Sequence, residues 1–218
     1  MTYPGVVKVG GPADVRELTD VAISKVAVGP MDNNAYLLRC RATDEQLLID
    51  AAAEVNTLLT LIGDSGIASV VTTHRHPDHW AALRETVDAT GARTYAGRYD
   101  AEGIPVPTDI PVEDGDTITV GRIELTARRL VGHTPGSIAL IYDDPHGHTH
   151  VFTGDCLFPG GIGNTHQDPK AFASLLADVE TKLFDQLPDQ TWIYPGHGAD
   201  TTLGAERPHL QEWRERGW

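Results

Sequence analysis

Four side chains that commonly bind metal ions lie within six consecutive positions of this chain. They form an H-x-H-x-D-H run, and its members are His74, His76, Asp78 and His79. The apolar residues Ala68–Thr72 directly before the run predict a short buried strand. Active-site side chains commonly lie on loops at strand ends, where a rigid sheet supports them. We therefore expect a fold in which a sheet strand ends at this run, so that its four side chains lie together in one site.

Three further candidate ligands follow, each in a turn-rich segment after an apolar run. They are His133 in Gly-His-Thr-Pro-Gly, Asp155 after Thr-Gly, and His197 in Tyr-Pro-Gly-His-Gly. Any one of them alone would more often be an ordinary surface or core residue, but five of the 10 histidines share this pattern. Imidazole and carboxylate suit zinc and other borderline divalent metals, and a set without thiolates is typical of a catalytic site. The pattern predicts a two-metal hydrolase site.

Composition narrows the class of protein further. The chain has 218 residues, of which 40% are hydrophobic, and we predict that residues 1–218 form a single domain. It has no apolar stretch of the roughly 18 residues needed for a membrane span. Its start has neither a basic nor an apolar signal region, so a cytoplasmic location is expected. The net charge of -14 disfavours nucleic acid as a partner and leaves a small-molecule substrate.

The two cysteines, Cys40 and Cys156, lie beside apolar runs. In a chain without a signal peptide they are predicted to be buried free thiols rather than a disulfide. Cys156 directly follows Asp155, so a functional thiol near the metals is the alternative.

The chain alternates short strands with a few helices. Runs of apolar and β-branched residues predict strands at Val21–Val28, Ala35–Cys40, Gln46–Ile49, Ala68–Thr72, Arg93–Ala96, Thr117–Val120, Ile123–Leu130, Ile138–Tyr142, His150–Phe152 and Thr191–Tyr194. Helical spacing predicts helices at Glu54–Ile62, His79–Ala89, Pro169–Phe184 and Ala205–Arg214. Asp168 is the predicted N-cap of the third helix. The segment Ile104–Asp116 is predicted to be a surface loop. His146, His148 and His150 alternate around a turn and predict a solvated hairpin, with a metal site as the alternative.

These residues resemble those of the metallo-β-lactamase fold hydrolases over essentially the whole chain. The resemblance implies an α/β fold, the four-layer αββα sandwich of that family, with the metals at one edge between two sheets. It implies that the first metal is held by His74, His76 and His133, and the second by Asp78, His79 and His197. Asp155 would bridge the two. Asp50, after Leu-Leu-Ile, matches a family aspartate that orients the ligand loop.

Within that family the ligand set is similar to that of glyoxalase II and related thioesterases. Asp78 and His79 are both present, and position 155 is Asp, whereas β-lactamases of this fold have Cys there or lack an acidic residue. The resemblance implies that a metal-bound hydroxide hydrolyses a hydroxyacyl thioester or a small ester. The expected cofactors are two divalent ions, namely zinc, with iron or manganese as alternatives. Asp78 would also be catalytic, because it would orient the hydroxide.

Two departures from the glyoxalase II pattern concern the substrate. Asn164 stands where related enzymes have an arginine, and an amide cannot replace the bidentate, charged contact of a guanidinium with a carboxylate. Only 21 residues follow His197, so the basic C-terminal extension of the family is not expected. We therefore expect a substrate other than a glutathione thioester, with Asn164 and His166 as candidate substrate-binding residues.

Other activities fit the same seven residues. A sulfur (persulfide) dioxygenase would bind one iron through His74, His133 and Asp155, a 2-His-1-carboxylate triad. Lactonase and β-lactamase activities are further alternatives. A binding protein without activity is disfavoured because such relatives usually lose ligands, and this chain has lost none. The oligomeric state cannot be predicted from the sequence.

Overall fold

The computed structural model describes residues 3–217; positions 1, 2 and 218, the ends of the predicted domain, lie outside the described residues. Its first sheet has seven strands, which lie side by side in the order of the chain. They are β1 (Asp14–Glu17), β2 (Val21–Val28), β3 (Asn33–Cys40), β4 (Gln46–Ile49), β5 (Ser69–Thr72), β6 (Arg93–Gly97) and β7 (Ile110–Val112). Strands β1 to β4 pair antiparallel, and β4 to β7 pair parallel.

The second sheet has six strands in the order β15-β14-β11-β10-β9-β8. Their bounds are β8 (Thr117–Val120), β9 (Ile123–Arg129), β10 (Ile138–Asp143), β11 (Thr149–Gly154), β14 (Trp192–Pro195) and β15 (Thr201–Thr202). The short strands β12 (Leu157–Phe158) and β13 (Gly161–Ile162) form a separate hairpin. Only β11 and β14 pair in parallel in the second sheet, so both strands end at the same edge of the sheet.

The α-helices are α1 (Val55–Ile62), α2 (Leu83–Thr90), α3 (Pro169–Val179), α4 (Leu203–Glu206) and α5 (Leu210–Arg216). Helix α3 begins as predicted, because the Asp168 side chain accepts hydrogen bonds from the backbone N–H groups of Lys170 and Ala171. It continues as a π-helical turn over Glu180–Phe184. Among residues 3–217, none of the helices combines the length and the apolar character that a bilayer crossing requires.

The alternation of strand side chains produces four layers. Successive strand residues point to opposite faces of a sheet. In β3, Tyr36 and Leu38 pack between the two sheets, whereas Leu37 packs in a cluster with residues of α1 and α2. In β10, Leu140 lies between the sheets and Ala139 packs in the cluster that contains α3 and α5. Helices therefore cover both outer faces, and the predicted αββα sandwich is confirmed.

Three predicted segments differ from the structure. The helix expected at His79–Ala89 begins only at Leu83, because the ligand run ends in a 3-10 turn, Pro77–His79, that directs His79 inward. The expected loop Ile104–Asp116 contains β7, which extends the sheet beside β6. The C-terminal helix is interrupted by a 3-10 turn at Arg207–His209, since Pro208 has no backbone N–H for an α-helical hydrogen bond.

Both cysteines are buried free thiols, as predicted. Burial raises the pKa of the Cys156 thiol above its usual range, which disfavours the thiolate. A reactive cysteine requires the opposite environment. Cys156 therefore belongs to the core rather than to the chemistry of the neighbouring Asp155.

His150 lies in the layer between the sheets, so the expected solvated hairpin is wrong at this position. Its exposed fraction is 0%, and its Nδ1 lies 3.0 Å from the hydroxyl of Tyr194. The Tyr194 oxygen accepts a hydrogen bond from Nη1 of Arg16, also at 3.0 Å. Burial, followed by the positive fields of His148 and Arg16, lowers the pKa of His150 to about 3. The imidazole is therefore neutral and shares a hydrogen bond with the Tyr194 hydroxyl through Nδ1.

We predict that His150 makes the fold sensitive to mild acid. The unfolded state takes up a proton at this residue as the pH falls below about 6.5, whereas the folded state resists protonation down to about 3. The free energy of unfolding therefore decreases as the pH is lowered from about 6.5 to about 3. Between pH 7.5 and 5.5 the free energy of urea unfolding should fall about 1 kcal/mol more in wild type than in His150→Gln. The exposed His209→Gln should match wild type. Equal pH dependence of wild type and His150→Gln would contradict the assignment.

Candidate metal centre

The seven predicted ligands meet at one edge of the sandwich, each just after the end of a strand. Strand β5 leads into the H-x-H-x-D-H run, β9 precedes His133, β11 precedes Asp155, and β14 precedes His197. They form two groups in which the candidate ligand atoms lie within 4.8 Å of one another. The first group is His74, His76, His133 and Asp155, and the second is Asp78, His79 and His197.

In the first group, Nε2 of His74 is the central atom. It lies 3.1 Å from Nδ1 of His76 and 3.3 Å from Nε2 of His133. Oδ2 of Asp155 lies 3.8 Å from His74 Nε2 and 3.5 Å from His133 Nε2. Ligands bound tetrahedrally at 2.0–2.1 Å from one ion are about 3.3 Å apart. These spacings therefore match a single divalent ion.

The second group faces the other oxygen of Asp155. Oδ2 of Asp78 lies 3.5 Å from Nε2 of His79 and 3.3 Å from Nε2 of His197. Oδ1 of Asp155 lies 3.2 Å from His79 Nε2 and 3.5 Å from His197 Nε2. The two oxygens of one carboxylate thus point to different groups, which is the arrangement of a bridging ligand.

Hydrogen bonds at Nδ1 fix the orientation of four of the imidazoles. Nδ1 of His79 lies 2.8 Å from Oδ2 of Asp50, and Nδ1 of His133 lies 2.8 Å from the carbonyl of Asn164. Nδ1 of His197 lies 2.9 Å from the carbonyl of Met31. In the fourth ring, Nδ1 of His74 lies 3.1 Å from the hydroxyl of Thr73. A proton at each Nδ1 leaves the Nε2 lone pair free for an ion.

Two buried polar atoms at the centre lack a regular hydrogen-bond partner among the described residues. They are Nε2 of His79 and Oδ1 of Asp155. Unpaired polar atoms in a protein interior cost free energy, so such atoms call for a partner such as an ion. The residues present therefore fit the divalent metals that the ligand set predicts.

In the first group the protonation states also suit metal binding. Burial lowers the pKa of His74, His76 and His133, so these imidazoles are neutral near pH 7. Burial alone would raise the pKa of Asp155, but the neighbouring imidazoles of His197 and His79 hold it well below its usual range. For His79 burial acts to lower the pKa, yet Asp50 and Asp155 together raise it to about 10. An ion at His79 therefore competes with a proton.

Close backbone approach makes a glycine necessary beside the second group. A Cβ at Gly196 would lie 2.2 Å from Oδ1 of Asp155 and 2.7 Å from Cε1 of His79. No side chain fits there without displacing one of the two. The glycine directly before His197 therefore reflects a packing requirement as well as a turn.

Asp50 occupies the position predicted for it, beneath the ligand run. Its carboxylate accepts hydrogen bonds from the backbone N–H and the hydroxyl of Thr73, at 2.7 and 2.8 Å, and contacts His79. Its φ of 59° is in the left-handed region, which is uncommon for a residue other than glycine and often occurs at functional sites. Asp50 thereby connects the strand end to both groups.

Asn164 and His166 lie at the mouth of the site. The main-chain carbonyl of Asn164 orients His133, and its side-chain Oδ1 accepts a hydrogen bond from the His166 N–H at 2.8 Å. The ring of His166 is exposed, and its centroid lies 6.3 Å from that of His76. Both residues are therefore placed where a substrate could contact them.

Residues that hold these ligands were not found by sequence reasoning. Nδ2 of Asn33 donates to Oδ2 of Asp78 at 2.9 Å and lies 3.4 Å from Nε2 of His197. Asp100 accepts hydrogen bonds from two ligand loops, one after β5 and one after β9. Asn33 opens a strand after a Gly-Pro turn, and Asp100 follows β6, so each is a polar residue at a strand boundary. That signal is weak, because such residues are common in turns.

Two clefts adjoin the centre. One, of about 430 Å³, is formed by Phe158, Pro159 and Ala199 beside Asp155 and His197. The other, of about 660 Å³, lies across Phe158, and its lining includes Ile162, Asn164 and Pro169. Among the described residues that line them there is no lysine or arginine. The space next to the ligands is largely apolar.

The chain is similar in sequence and fold to several known proteins. A hydroxyacylglutathione hydrolase of Polaromonas sp. (strain JS666) is 36% identical over 76% of this chain and 62% of its own length. The human mitochondrial persulfide dioxygenase ETHE1 is 34% identical over 74% of this chain and 62% of its own length. The chain thus spans less than two thirds of both relatives.

Among solved structures, that of TTHA1623 in a di-iron-bound form has a TM-score of 0.69 and 32% identity, over 84% of this chain and 96% of that one. The family model described as Metallo-beta-lactamase superfamily matches residues 28–197, which is more than half of the chain and includes all seven candidate ligands. The chain belongs to the metallo-β-lactamase superfamily.

Proposed function

We propose that this chain is a dinuclear metal-dependent hydrolase of a small thioester or ester. The observation that carries the proposal is the position of Asp155, whose two oxygens face two separate ligand groups. A one-iron dioxygenase site of His74, His133 and Asp155 leaves the second group without a ligand role. No feature of the described residues favours that alternative over hydrolysis.

The seven residues would hold two divalent ions. The first would bind His74, His76 and His133, the second Asp78, His79 and His197, and Asp155 would join them. Zinc suits these nitrogen and oxygen ligands, and iron and manganese are alternatives. When bound, such a pair supplies an activated water near neutral pH and polarises the substrate carbonyl.

The chain's own side chains position the reactants. Asn33 donates a hydrogen bond to Asp78 and thereby fixes its carboxylate. This carboxylate can both bind the second ion and orient the water. His133 is held by the main chain of Asn164, so the loop that carries Asn164 and His166 is coupled to the first group. Phe158 and Pro159 form an apolar wall beside the ligands.

The clefts favour an uncharged substrate. A carboxylate-bearing thiol such as glutathione needs cationic partners, and the described lining residues include neither lysine nor arginine. Asn164 lines the larger cleft at the mouth of the site. We infer that the substrate is a small neutral thioester or ester, and that the chain, with its net charge of -14, does not act on nucleic acid.

One prediction of the proposed function tests the bridging role of Asp155. Asp155→Ala should lose one or both ions and reduce thioester hydrolysis by more than about 100-fold, beyond the loss typical of residues that only orient ligands. Elemental analysis should find two ions per wild-type chain and fewer in the variant. Circular dichroism should show a native fold, because a core of this size does not depend on the metal.

The matched control is Asp88→Ala, which removes an exposed carboxylate on helix α2 and should keep both ions and full activity. An Asp155→Ala protein with two ions and wild-type turnover would contradict the dinuclear assignment. One iron per wild-type chain, together with oxygen consumption on a persulfide, would replace hydrolysis by dioxygenation.

A further prediction concerns substrate choice. Wild type should hydrolyse neutral thioesters with a higher kcat/KM than S-lactoylglutathione, and Asn164→Arg should raise kcat/KM for the glutathione thioester about 10-fold or more. The physical reason is a charge-assisted hydrogen bond worth about 1.5–3 kcal/mol. Asn56→Arg, which adds the same charge on helix α1 outside the clefts, should have no such effect. Wild-type preference for S-lactoylglutathione would refute the inference from the clefts.

A further inference from the structure

Lys25 is a lysine with an exposed fraction of 0% in the middle of strand β2. Strand alternation directs it, like Val21 and Ile23, into the layer between the sheets. Its Nζ donates to the carbonyl of Gly5 at 2.9 Å, to the carbonyl of Gly198 at 2.7 Å, and to Oδ1 of Asp200 at 2.6 Å. All three N–H bonds of the ammonium group are therefore used.

Asp200 completes this cluster from the other sheet. Its Oδ2 accepts hydrogen bonds from the hydroxyl of Tyr3 and from Nε1 of Trp192, both at 2.9 Å. The side chain of Asp200 has an exposed fraction of 1%. A buried ion pair has a large desolvation cost, and apolar residues of similar size are often as stable, so stability alone does not account for it.

The cluster holds the loop that presents His197. Gly198, which accepts from Lys25, directly follows this ligand, and it also accepts from Nδ2 of Asn34 at 3.0 Å. On the other side, the carbonyl of Pro195 accepts from Asn34 at 2.9 Å and from the hydroxyl of Tyr36 at 2.7 Å. The carbonyls of Pro195 and Gly198, which lie before and after His197 in the same loop, are thus fixed by side chains of the first sheet.

Asp100 has the corresponding position at the first ligand group. Its exposed fraction is 0%, and it accepts hydrogen bonds from the N–H of Arg75 at 3.0 Å, the hydroxyl of Thr134 at 2.5 Å and the N–H of Gly136 at 2.9 Å. Arg75 lies between His74 and His76 in sequence, and Thr134 follows His133. One carboxylate therefore joins the two loops that carry the three imidazoles of this group.

We propose that the two ligand groups have separate buried positioning residues, Asp100 for the first group and the Lys25–Asp200 pair for the second. The hydrogen bonds of Asp100 go to the loops of the first group, and those of Lys25 reach the loop of His197. We call Asp100 and the Lys25–Asp200 pair the two anchors. Loss of one anchor should therefore weaken the binding of one ion without weakening the binding of the other. The inference rests on the proposed two-metal site, and metal affinity rather than turnover tests it.

The experiment measures zinc dissociation constants with a competing chelator in two single-site backgrounds. His197→Ala leaves the first group intact, and His76→Ala leaves the second. Lys25→Met/Asp200→Asn, which removes both charges together, should raise the dissociation constant of the second group about 10- to 100-fold and that of the first by less than tenfold. Asp100→Asn should show the reverse pattern.

Asp200→Asn alone is the conservative variant. Its amide oxygen keeps the acceptor for Lys25, although the amide nitrogen cannot accept from Tyr3 and Trp192. The hydrogen bond from Lys25 to Gly198 therefore persists, and both affinities should change by less than about tenfold. Circular dichroism verifies the fold of each protein. If the methionine variant failed to fold, Lys25→Leu/Asp200→Asn, which also removes the donor to Gly198, has the same expected result.

Two outcomes would overturn the proposal: equal weakening of both groups by either anchor variant, or no weakening by a folded anchor variant. Binding of a single ion by the wild-type chain would instead overturn the dinuclear site itself. The failure of the anchors and the failure of the proposed function are thus distinguishable.

Discussion

The carboxylate of Asp155 lies between two sets of imidazoles, and this one contact governs the geometry around it. One oxygen faces His133 and the other faces His79, at 3.5 and 3.2 Å. For both distances to hold, the strands that precede these residues must end at the same edge of the sandwich. The close approach also excludes a side chain at Gly196. Ion binding, loop shape and sheet register are therefore linked through a single residue.

Much of the fold could be predicted from the sequence because its physical signals are local. Val21–Val28 and Gln46–Ile49 were predicted with the bounds that the structure shows, since apolar runs between turns define buried strands. The strand β7 was missed because it has only three residues and contains Pro111, which is unfavourable in a strand interior. At this edge position it pairs with β6, and the pairing depends on tertiary contacts that no local pattern encodes.

In the candidate site, too, the features with a local sequence pattern were predicted and those that depend on tertiary contacts were not. Its seven candidate ligands were predicted because imidazole and carboxylate residues at loop positions form a dense pattern. Asn33, Asp100 and Lys25 were not found, although each holds a ligand or its loop. Lys25 is separated from Gly198 by 173 positions, so its role exists only where the two sheets face each other. Its one visible signal was a charged residue inside an otherwise apolar strand.

The polarity of the side chains in the layer between the sheets differs from one region to another. Around Leu38, Leu47 and Phe152 it is apolar, and each such side chain contributes about 1.5–3 kcal/mol by burial. Elsewhere Lys25 and His150 lie in the same layer. Lys25 is tied to Asp200, just before β15, and His150 contacts Tyr194, whose hydroxyl accepts a hydrogen bond from Arg16 of the first sheet. Directional hydrogen bonds specify one relative position of the sheets, whereas apolar contacts tolerate small shifts. A site that needs ligands from both sheets within a few tenths of an ångström depends on that specification.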